Sequence, residues 1–424
     1  MREELKKWFR MECEDTRTTL LYFIRWGIYS LLAGLLGGAI GASFIRFIQY
    51  VTTLRKENPW ILFCMPFAGL LIVFLHIIYK ERGNKGTNLV LESVTDGKPV
   101  DKPIAPLIYI CTILSHLVGA SVGREGAALQ IGGGLGDYLG AKLHFDEKSR
   151  KLAVMAGMSA VFAAVFGTPV AAAVFPIEVI SVGIMHFSAL VPCIFSSFIG
   201  YEFALFLGAG YEHFTVTGIP AFGLVPVLQL ILLGILSGLV ARIFCFTLHF
   251  SNQLYGRITK NPYLRILLAS VIFIALTLPL RTDLYMGSGT ELIELAIAGE
   301  QIPYAAFAFK ILFTAIALGG KFKGGEIVPT LCIGACFGWL FGMLTGFSPS
   351  LAAACGMAAL FVGVTNCPIA TLLISLEMLS TEAMPFYSIV IAVSYCFSGY
   401  ASLYASQRIM YSKTELSFIN KRGD

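Results

Sequence analysis

Two copies of one pattern follow each other along this chain of 424 residues, and the duplication limits its possible folds more than any other feature. Three pairs of short stretches match between the copies, in the same order and at nearly the same offset. In chain order they are Gly86-Thr87-Asn88-Leu89 with Gly289-Thr290-Glu291-Leu292, Ile131-Gly132 with Ile333-Gly334, and Gly157-Met158 with Gly356-Met357. The sequence therefore predicts two related halves, at about residues 20–215 and 216–404.

The apolar segments of both halves are long enough to cross a membrane. Hydrophobic residues make up 56% of the chain and charged residues 13%, whereas soluble domains carry roughly 25% charged residues. The 43 glycines suit close helix packing in lipid. The 17 prolines, many of them within apolar segments, indicate interrupted helices. We therefore predict an all-α integral membrane protein with many tilted and re-entrant helices.

Two short segments flank the predicted membrane domain, which covers residues 20–404. Residues 1–19 are predicted to form an amphipathic N-terminal segment, and residues 405–424 a short charged tail that is too small for a regulatory domain. Lys6, Lys7 and Arg10 precede the first span, and basic residues next to a span favour the cytoplasmic side. We expect a multi-pass protein of the plasma (inner) membrane with both termini in the cytoplasm.

Several classes of function lack support in the sequence. The net charge of +5 is spread over loops and tails, so nucleic acid is not an expected partner. The ten cysteines are dispersed without zinc or redox spacing, and we expect them to be small packing residues. No nucleophile–base set or H-E-x-x-H pattern lies within the spans. We therefore expect no metal, no cofactor and no enzymatic activity.

An ionisable residue, Glu125, lies between glycines just before the apolar run Ile131–Gly140. The first amides of a helix have no partner within it, and with the helix dipole they attract anions. An ionised carboxylate at this position can take the place of an anion, and protonation would release it. In a soluble protein Glu125 would be a simple helix cap, but an ionisable group within a membrane segment is a functional hypothesis by default. We predict an anion transporter with a proton-sensitive gate at Glu125.

Two further glycine-rich stretches lead into apolar segments. They are Gly83–Asn88 in the first half and Gly324–Pro329 in the second. In transporters built from twofold repeats, the ends of interrupted helices meet near the bilayer midplane and form the ion site. We therefore expect both stretches and Gly123–Ala127 to surround one anion.

Glu326, within Gly324–Pro329, has two interpretations. In the first, it forms a salt bridge with Arg124, Lys321 or Lys323. In the second, its protonated form, like that of Glu125, donates an O–H group to a bound anion, and hydrogen bonds to ionic acceptors are strong. The sequence leaves both interpretations open.

These motifs together resemble those of the CLC family of anion channels and proton-coupled anion antiporters. Gly123-Arg124-Glu125-Gly126 resembles the family's G-[KR]-E-G-P signature, with Ala127 in place of proline. Gly325-Glu326-Ile327-Val328-Pro329 resembles its G-x-F-x-P signature, and Leu403-Tyr404 resembles the late tyrosine that closes the inner side of the anion site. The resemblance covers nearly the whole membrane chain. It implies the CLC-type inverted-repeat fold in membrane lipid and a homodimer with one pore per subunit.

The departures from the signatures resemble the fluoride-exporting branch of that family. Gly83–Asn88 stands where G-S-G-I-P is usual and lacks the central serine. Glu178 is followed by Val179, so the inner glutamate of the chloride exchangers is missing, and Glu326 precedes Ile-Val-Pro. The resemblance implies an antiporter that exports fluoride in exchange for protons. The alternative is a chloride/proton antiporter or a passive chloride channel of the same family.

The resemblance also implies roles for individual residues. Glu125 is expected to be the gate and main proton carrier, with Glu326 as a second acidic site residue. The expected anion-binding residues are Thr87, Asn88, Gly123, Arg124, Gly126, Ile327, Val328 and Tyr404, with Val90 and Ile293 as apolar walls from the two halves. Glu178 and Glu377 end equivalent segments and are expected to pair with a basic loop.

Overall fold

A computed structural model of the chain describes residues 2–79, 86–100 and 103–423. Residues 83–85 of the first glycine-rich stretch lie outside the described residues, as do the side chains of Lys6, Lys7 and Arg10, on which the orientation of the N-terminus was predicted.

The described residues form sixteen α-helices, and the second eight repeat the order of the first eight. The first half contains α1 Arg2–Glu57, α2 Met65–Ile78, α3 Asn88–Asp96, α4 Ile104–Leu117, α5 Glu125–Lys142, α6 Glu147–Phe166, α7 Pro169–Val179 and α8 Leu190–Phe206. The second half contains α9 Leu224–Ile258, α10 Pro262–Leu280, α11 Thr290–Ala298, α12 Ala306–Gly319, α13 Ile327–Thr345, α14 Pro349–Thr365, α15 Pro368–Met378 and α16 Met384–Phe397. Short 3-10 helices cover Pro59–Cys64, Phe187–Ala189 and Thr381–Ala383.

Helix lengths confirm the predicted all-α membrane fold. Seven helical segments of the described chain are long and apolar enough to cross a membrane. Shorter apolar helices lie between them, such as α7 and α15 with 11 residues each. These are too short to span the hydrocarbon layer, which takes about 20 residues, as expected of re-entrant segments. The chain is therefore a multi-pass membrane protein.

The predicted N-terminal segment 1–19 is not separated from the first span. Helix α1 continues without a break through Thr19 and Leu20. Residues 2–19 contain neither glycine nor proline, the residues that most readily end a helix. The described residues 2–19 therefore continue the first span as one helix.

Equivalent helix ends in the two halves are built in the same way. Helix α6 ends on Gly167 with φ 78°, and α14 ends on Asn366 with φ 60°. Glycine and asparagine are the residues that most readily take this left-handed conformation at a helix C-terminus. The next helices begin at Pro169 and Pro368, where the missing N–H group is not needed.

Close glycine contacts join α5 to α6 in the first half and α13 to α14 in the second. A Cβ atom added at Gly132 of α5 would lie 2.9 Å from the carbonyl carbon of Gly157 of α6. At the equivalent place, a Cβ atom at Gly334 of α13 would lie 2.9 Å from the carbonyl carbon of Gly356 of α14. These are the residues that matched between the halves in the sequence, so the repeated motif corresponds to a repeated helix contact.

Helices α7 and α15 cap each other across the two halves. The Glu178 carboxylate, at the end of α7, accepts the N–H groups of Ile369 and Ala370 at 3.1 and 2.8 Å. Glu377, near the end of α15, accepts those of Val170 and Ala171 at 2.9 and 2.8 Å. The expected pairing of both glutamates with a basic loop was therefore wrong, since the first amides of the opposite helix are their partners.

The C-terminal residues fold back onto the membrane domain as a small sheet. Strand β1 (Ser181–Val182) pairs in parallel with β2 (Arg408–Tyr411), and β2 pairs antiparallel with β3 (Phe418–Arg422). Gln407 is fully buried, and its Nε2 donates to the carbonyl oxygens of Val179 and Thr365 at 2.9 and 2.7 Å. The segment predicted as a short tail thus ties the ends of α7 and α14 together.

Candidate functional site

The two halves meet at a pair of backbone hydrogen bonds between Gly123 and Gly325. The N–H of Gly123 donates to the carbonyl of Gly325 at 2.6 Å, and the N–H of Gly325 donates back at 2.7 Å. A Cβ atom at Gly325 would lie 2.8 Å from the Cα of Gly126, so a side chain there would force the two segments apart. This bridge brings the beginnings of α5 and α13 together, as predicted for the two motifs.

Glu125 is the first residue of α5 and is fully buried. Its Oε2 accepts the backbone N–H of Arg124 at 3.1 Å, and its Oε1 accepts the Arg124 Nε–H at 3.0 Å. The carboxylate therefore folds back onto the start of its own helix, where free amides and the helix dipole favour a negative charge. A terminal nitrogen of Arg124 also lies 4.0 Å from Glu212.

Two cavities of the described chain adjoin this bridge. We call the first the Glu326 cavity: its volume is about 580 Å³, and Thr87, Gln130, Lys323 and Glu326 are among the residues that line it. The second, the Arg124 cavity, has a volume of about 240 Å³.

The Arg124 cavity is lined by residues of both halves, among them Arg55, Arg124, Glu212, Gly289 and Thr290. Glu125 lines neither cavity. It lies between Arg124, which lines one cavity, and Gly126, which faces residues of the other. A side-chain movement at Glu125 would therefore take place between the two cavities.

Two predicted donors have hydroxyl groups that are available to a ligand. Thr87 and Tyr404 are buried, and their hydroxyl oxygens have no hydrogen-bond partner among the described residues. A Cβ atom at Gly126 would lie 3.5 Å from Thr87 Oγ1 and 3.4 Å from Glu326 Oε2. The Thr87 hydroxyl and the Glu326 carboxylate therefore both face the start of α5. Buried polar atoms are normally hydrogen-bonded, so the unpartnered Thr87 hydroxyl at this place can take a polar ligand or water as its partner.

The segment that carries Tyr404 reaches the same region through Asn88. The backbone N–H of Ser406 donates to Asn88 Oδ1 at 2.8 Å, and Leu403 and Ala405 line the Glu326 cavity. The side-chain oxygen of Asn88 is thus engaged in holding the chain around Tyr404. Of the two predicted anion-binding residues Thr87 and Asn88, Thr87 has a hydroxyl that is unpartnered in the described structure.

The predicted apolar residues are all buried, but they lie at different depths. Ile327 and Val328 form the first turn of α13 beside the bridge. Val90 packs deeper along α5, since a Cβ atom at Gly133 would lie 3.0 Å from Val90 Cγ2. Neither Val90 nor Ile293 lines the two cavities in the described residues. A wall-forming role for these two stays a prediction.

Glu326 immediately precedes α13 and is partly buried at the edge of its cavity. Among the basic residues considered as its partner, Arg124 pairs with Glu125 and Glu212 instead. Lys321 donates to Asn252 Oδ1 at 3.2 Å, and Lys323 lines the same cavity as Glu326.

Sequence reasoning missed several polar residues of the two cavities. Gln130 lines the Glu326 cavity, and its Nε2 donates to the carbonyl of Gly126 at 3.2 Å. A polar residue one turn after Gly126 in an apolar helix was the available signal. Glu212 and Arg55 had no such signal, because they come from a loop and from the end of a distant helix.

Comparison with known proteins relates the chain to anion channels and exchangers. The family model described as "Voltage gated chloride channel" matches residues 78–399. A "Chloride/fluoride channel protein" of Pseudomonas syringae pv. tomato is 32% identical over 422 residues, which are 97% of this chain and 92% of that protein. An "H(+)/Cl(-) exchange transporter" of Vibrio cholerae is 25% identical over 390 residues, covering 82% of this chain and 81% of its own.

Solved structures show the same architecture. The crystal structure of a CLC-type fluoride/proton antiporter superposes with a TM-score of 0.87 at 29% identity, covering 91% of this chain and 98% of that one. A slow cyanobacterial Cl−/H+ antiporter superposes with a TM-score of 0.74 at 19% identity, covering 88% and 94%, which is a likeness of fold alone.

Proposed function

Because the chain belongs to the CLC family, we propose that it is a proton-coupled antiporter that exports fluoride and is gated by Glu125. The observation that carries the proposal is the position of the Glu125 carboxylate, fully buried at the bridge between two cavities. Members of this family are channels or transporters, so no enzymatic reaction is proposed. The proposal includes a plasma-membrane location with cytoplasmic termini, and assembly as a homodimer with one pore per subunit.

In the proposed mechanism, Glu125 and the anion compete for one place. The ionised carboxylate accepts N–H groups at the start of α5, as it does in the structure. Protonation removes the charge that holds it there, so the side chain leaves and an anion takes over the free amides. When Glu125 returns to the bridge it gives up its proton and displaces the anion. If Glu125 takes up its proton from the side to which the anion leaves and releases it to the other side, proton and anion move in opposite directions.

Fluoride as the exported anion is supported by the donors around the Glu326 cavity. Fluoride is small and strongly hydrated, so a protein site must replace its water with good hydrogen-bond donors. The unpartnered hydroxyl of Thr87 is such a donor, and protonated Glu326 would add an O–H group near it. Tyr404, whose chain neighbours Leu403 and Ala405 line the cavity, has a second unpartnered hydroxyl. The Pseudomonas relative is described as a chloride/fluoride channel protein, and the structural neighbour with TM-score 0.87 as a fluoride/proton antiporter.

Chloride transport is the second candidate, and it has its own support. The Vibrio cholerae relative is described as a proton/chloride exchanger, and the matching family model as a chloride channel. Purified protein in liposomes separates the candidates. We expect fluoride to leave loaded vesicles much faster than chloride, with protons entering as fluoride leaves. Chloride efflux as fast as fluoride efflux would reject the fluoride proposal, and fluoride efflux without proton movement would reject coupling.

A further inference from the structure

The Arg124 cavity contains a buried cation that the proposed gate does not use. Arg55, in the last turn of α1, is 6% exposed and lines this cavity, and its Nη1 has no hydrogen-bond partner among the described residues. The guanidinium is held between two loops: a Cβ atom at Gly119 would lie 2.8 Å from Nη1, and one at Gly287 would lie 3.6 Å from Nη2. A buried guanidinium without a partner is strongly unfavourable. We therefore expect a hydrogen-bond acceptor to lie next to it in the cavity.

The N-terminus of α11 faces the same cavity. Gly287, Ser288, Gly289 and Thr290 line it, and α11 begins at Thr290 and has nine residues. The first amides of a helix lack partners within the helix and carry the positive end of its dipole.

A second buried cation holds the loop that leads into α11. Lys310 of α12 is fully buried, and its Nζ donates to the carbonyl oxygens of Gly287 and Tyr285 at 2.8 and 3.2 Å. A Cβ atom at Gly289 would lie 2.9 Å from Lys310 Cε, so the end of the lysine side chain packs against the residue that precedes α11. Lys310 therefore both fixes the loop and adds positive charge beneath the cavity.

The repeat relates this arrangement to the Glu326 cavity. There, Gly86 and Thr87 at the start of α3 lie beside Glu326, the residue before α13 of the other half. In the Arg124 cavity, Gly289 and Thr290 at the start of α11 lie beside Arg124, the residue before α5 of the other half. Each cavity therefore combines the start of a nine-residue helix with the residue that precedes a long helix of the opposite half.

The charges that face Arg55 do not neutralise it by direct contact. The carboxylates of Glu212, Asp283 and Glu291 line the same cavity. Glu291 is paired with Lys56 at 2.6 Å, and Glu212 lies 4.0 Å from Arg124. Arg55 forms no ion pair within 4 Å in the described residues.

We propose that the Arg124 cavity holds a second anion site, in which Arg55 and the first amides of α11 bind a halide ion next to the gate. The inference rests on the proposed function, because the bound ion is the transported one. A volume of about 240 Å³ has room for a halide with some of its water. The site would collect the anion on this side of the bridge before or after it passes Glu125.

Two variants in liposomes test the site, and the measured quantity is the fluoride concentration at which transport is half-maximal. Arg55→Gln removes the buried charge, and Lys260→Gln removes a positive charge from an exposed residue that does not line the cavity. For Arg55→Gln we expect the half-saturating fluoride concentration on the Arg124 side to rise about tenfold, as for loss of one charged hydrogen bond, with the maximal rate and the opposite side unchanged. For Lys260→Gln we expect a change below about twofold, as for an exposed charge outside the cavity.

Bromide binding to the full-length wild-type protein provides a test that needs no variant. We expect anomalous diffraction from bromide-soaked crystals to show an ion in contact with the Arg55 guanidinium and the start of α11. Bromide at the Gly123–Gly325 bridge with none at Arg55 would overturn the inference, and so would an Arg55→Gln protein with unchanged half-saturation on both sides. Loss of all anion transport in the wild type would instead reject the proposed function.

Discussion

Two glutamates precede or begin long helices of different halves, yet their surroundings differ. Glu125 is fully buried and paired with Arg124, whereas Glu326 is partly buried and faces the larger cavity. Both were predicted from their glycine-rich context and from the resemblance. The choice between the two interpretations of Glu326 was not available from sequence, because its possible partners are distant along the chain or lie in a loop whose direction no local pattern specifies.

At the residue scale, we predict that the hydrogen-bonding capacity of Glu326 matters more than its charge. Glu326→Ala should slow fluoride transport by roughly tenfold or more, the expected effect of losing one hydrogen bond to a charged partner. Glu326→Gln keeps an N–H donor and should retain most of the transport. Initial fluoride efflux from liposomes measures both variants.

The same pair of variants tests the salt-bridge interpretation of Glu326. If the carboxylate serves mainly as an ion-pair partner for a lysine, glutamine and alanine should impair folded yield to a similar extent, because both remove the charge. Equal transport by Glu326→Ala and wild type would remove Glu326 from the anion site.

At the element scale, short sequence matches identified real packing contacts, while the helix caps between the halves were not predicted. Gly132, Gly157, Gly334 and Gly356 were singled out by repetition, and each lies where two helices touch. Glu178 was seen as one of two equivalent helix ends, but its partner amides belong to α15 in the other half. A carboxylate that caps a distant helix leaves no local pattern, because the contact depends on how the halves dock.

The glycine contact between α5 and α6 can be tested by adding one methyl group. Gly132→Ala would place a Cβ atom 2.9 Å from the carbonyl carbon of Gly157, and overpacking of this kind costs roughly 1–3 kcal/mol. We therefore expect a clearly lower thermal unfolding midpoint in detergent.

Gly134→Ala on the same helix is the matched control. Its Cβ atom would lie 3.2 Å from the side-chain Cγ2 of Ile104, which has more room to shift than backbone. Alanine also has the higher helix propensity, so the control should unfold close to the wild-type midpoint. Equal midpoints for Gly132→Ala and wild type would show that the two helices can separate without loss of stability.

At the scale of the whole molecule, the fold was predictable because its signals are strong and repeated. Apolar segments of membrane length and a duplicated motif order predicted the all-α membrane architecture that the helices and the related structures confirm. The small sheet β1–β2–β3 was not predicted, because Arg408–Tyr411 and Phe418–Arg422 are short and lack clear alternation. The cavities were also beyond sequence reasoning, since each is lined by residues from both halves.

The central claim is that one carboxylate, that of Glu125, couples the anion to the proton. Its most direct test is simultaneous recording of fluoride and pH around liposomes that contain wild type, Glu125→Gln, or Glu300→Gln as a control at an exposed loop residue. In wild type and the control, a fluoride gradient should drive protons in the opposite direction. In Glu125→Gln the fluoride gradient should drive no proton movement, whether fluoride transport continues or is lost. Proton movement coupled to fluoride in Glu125→Gln, at the wild-type ratio, would contradict the account.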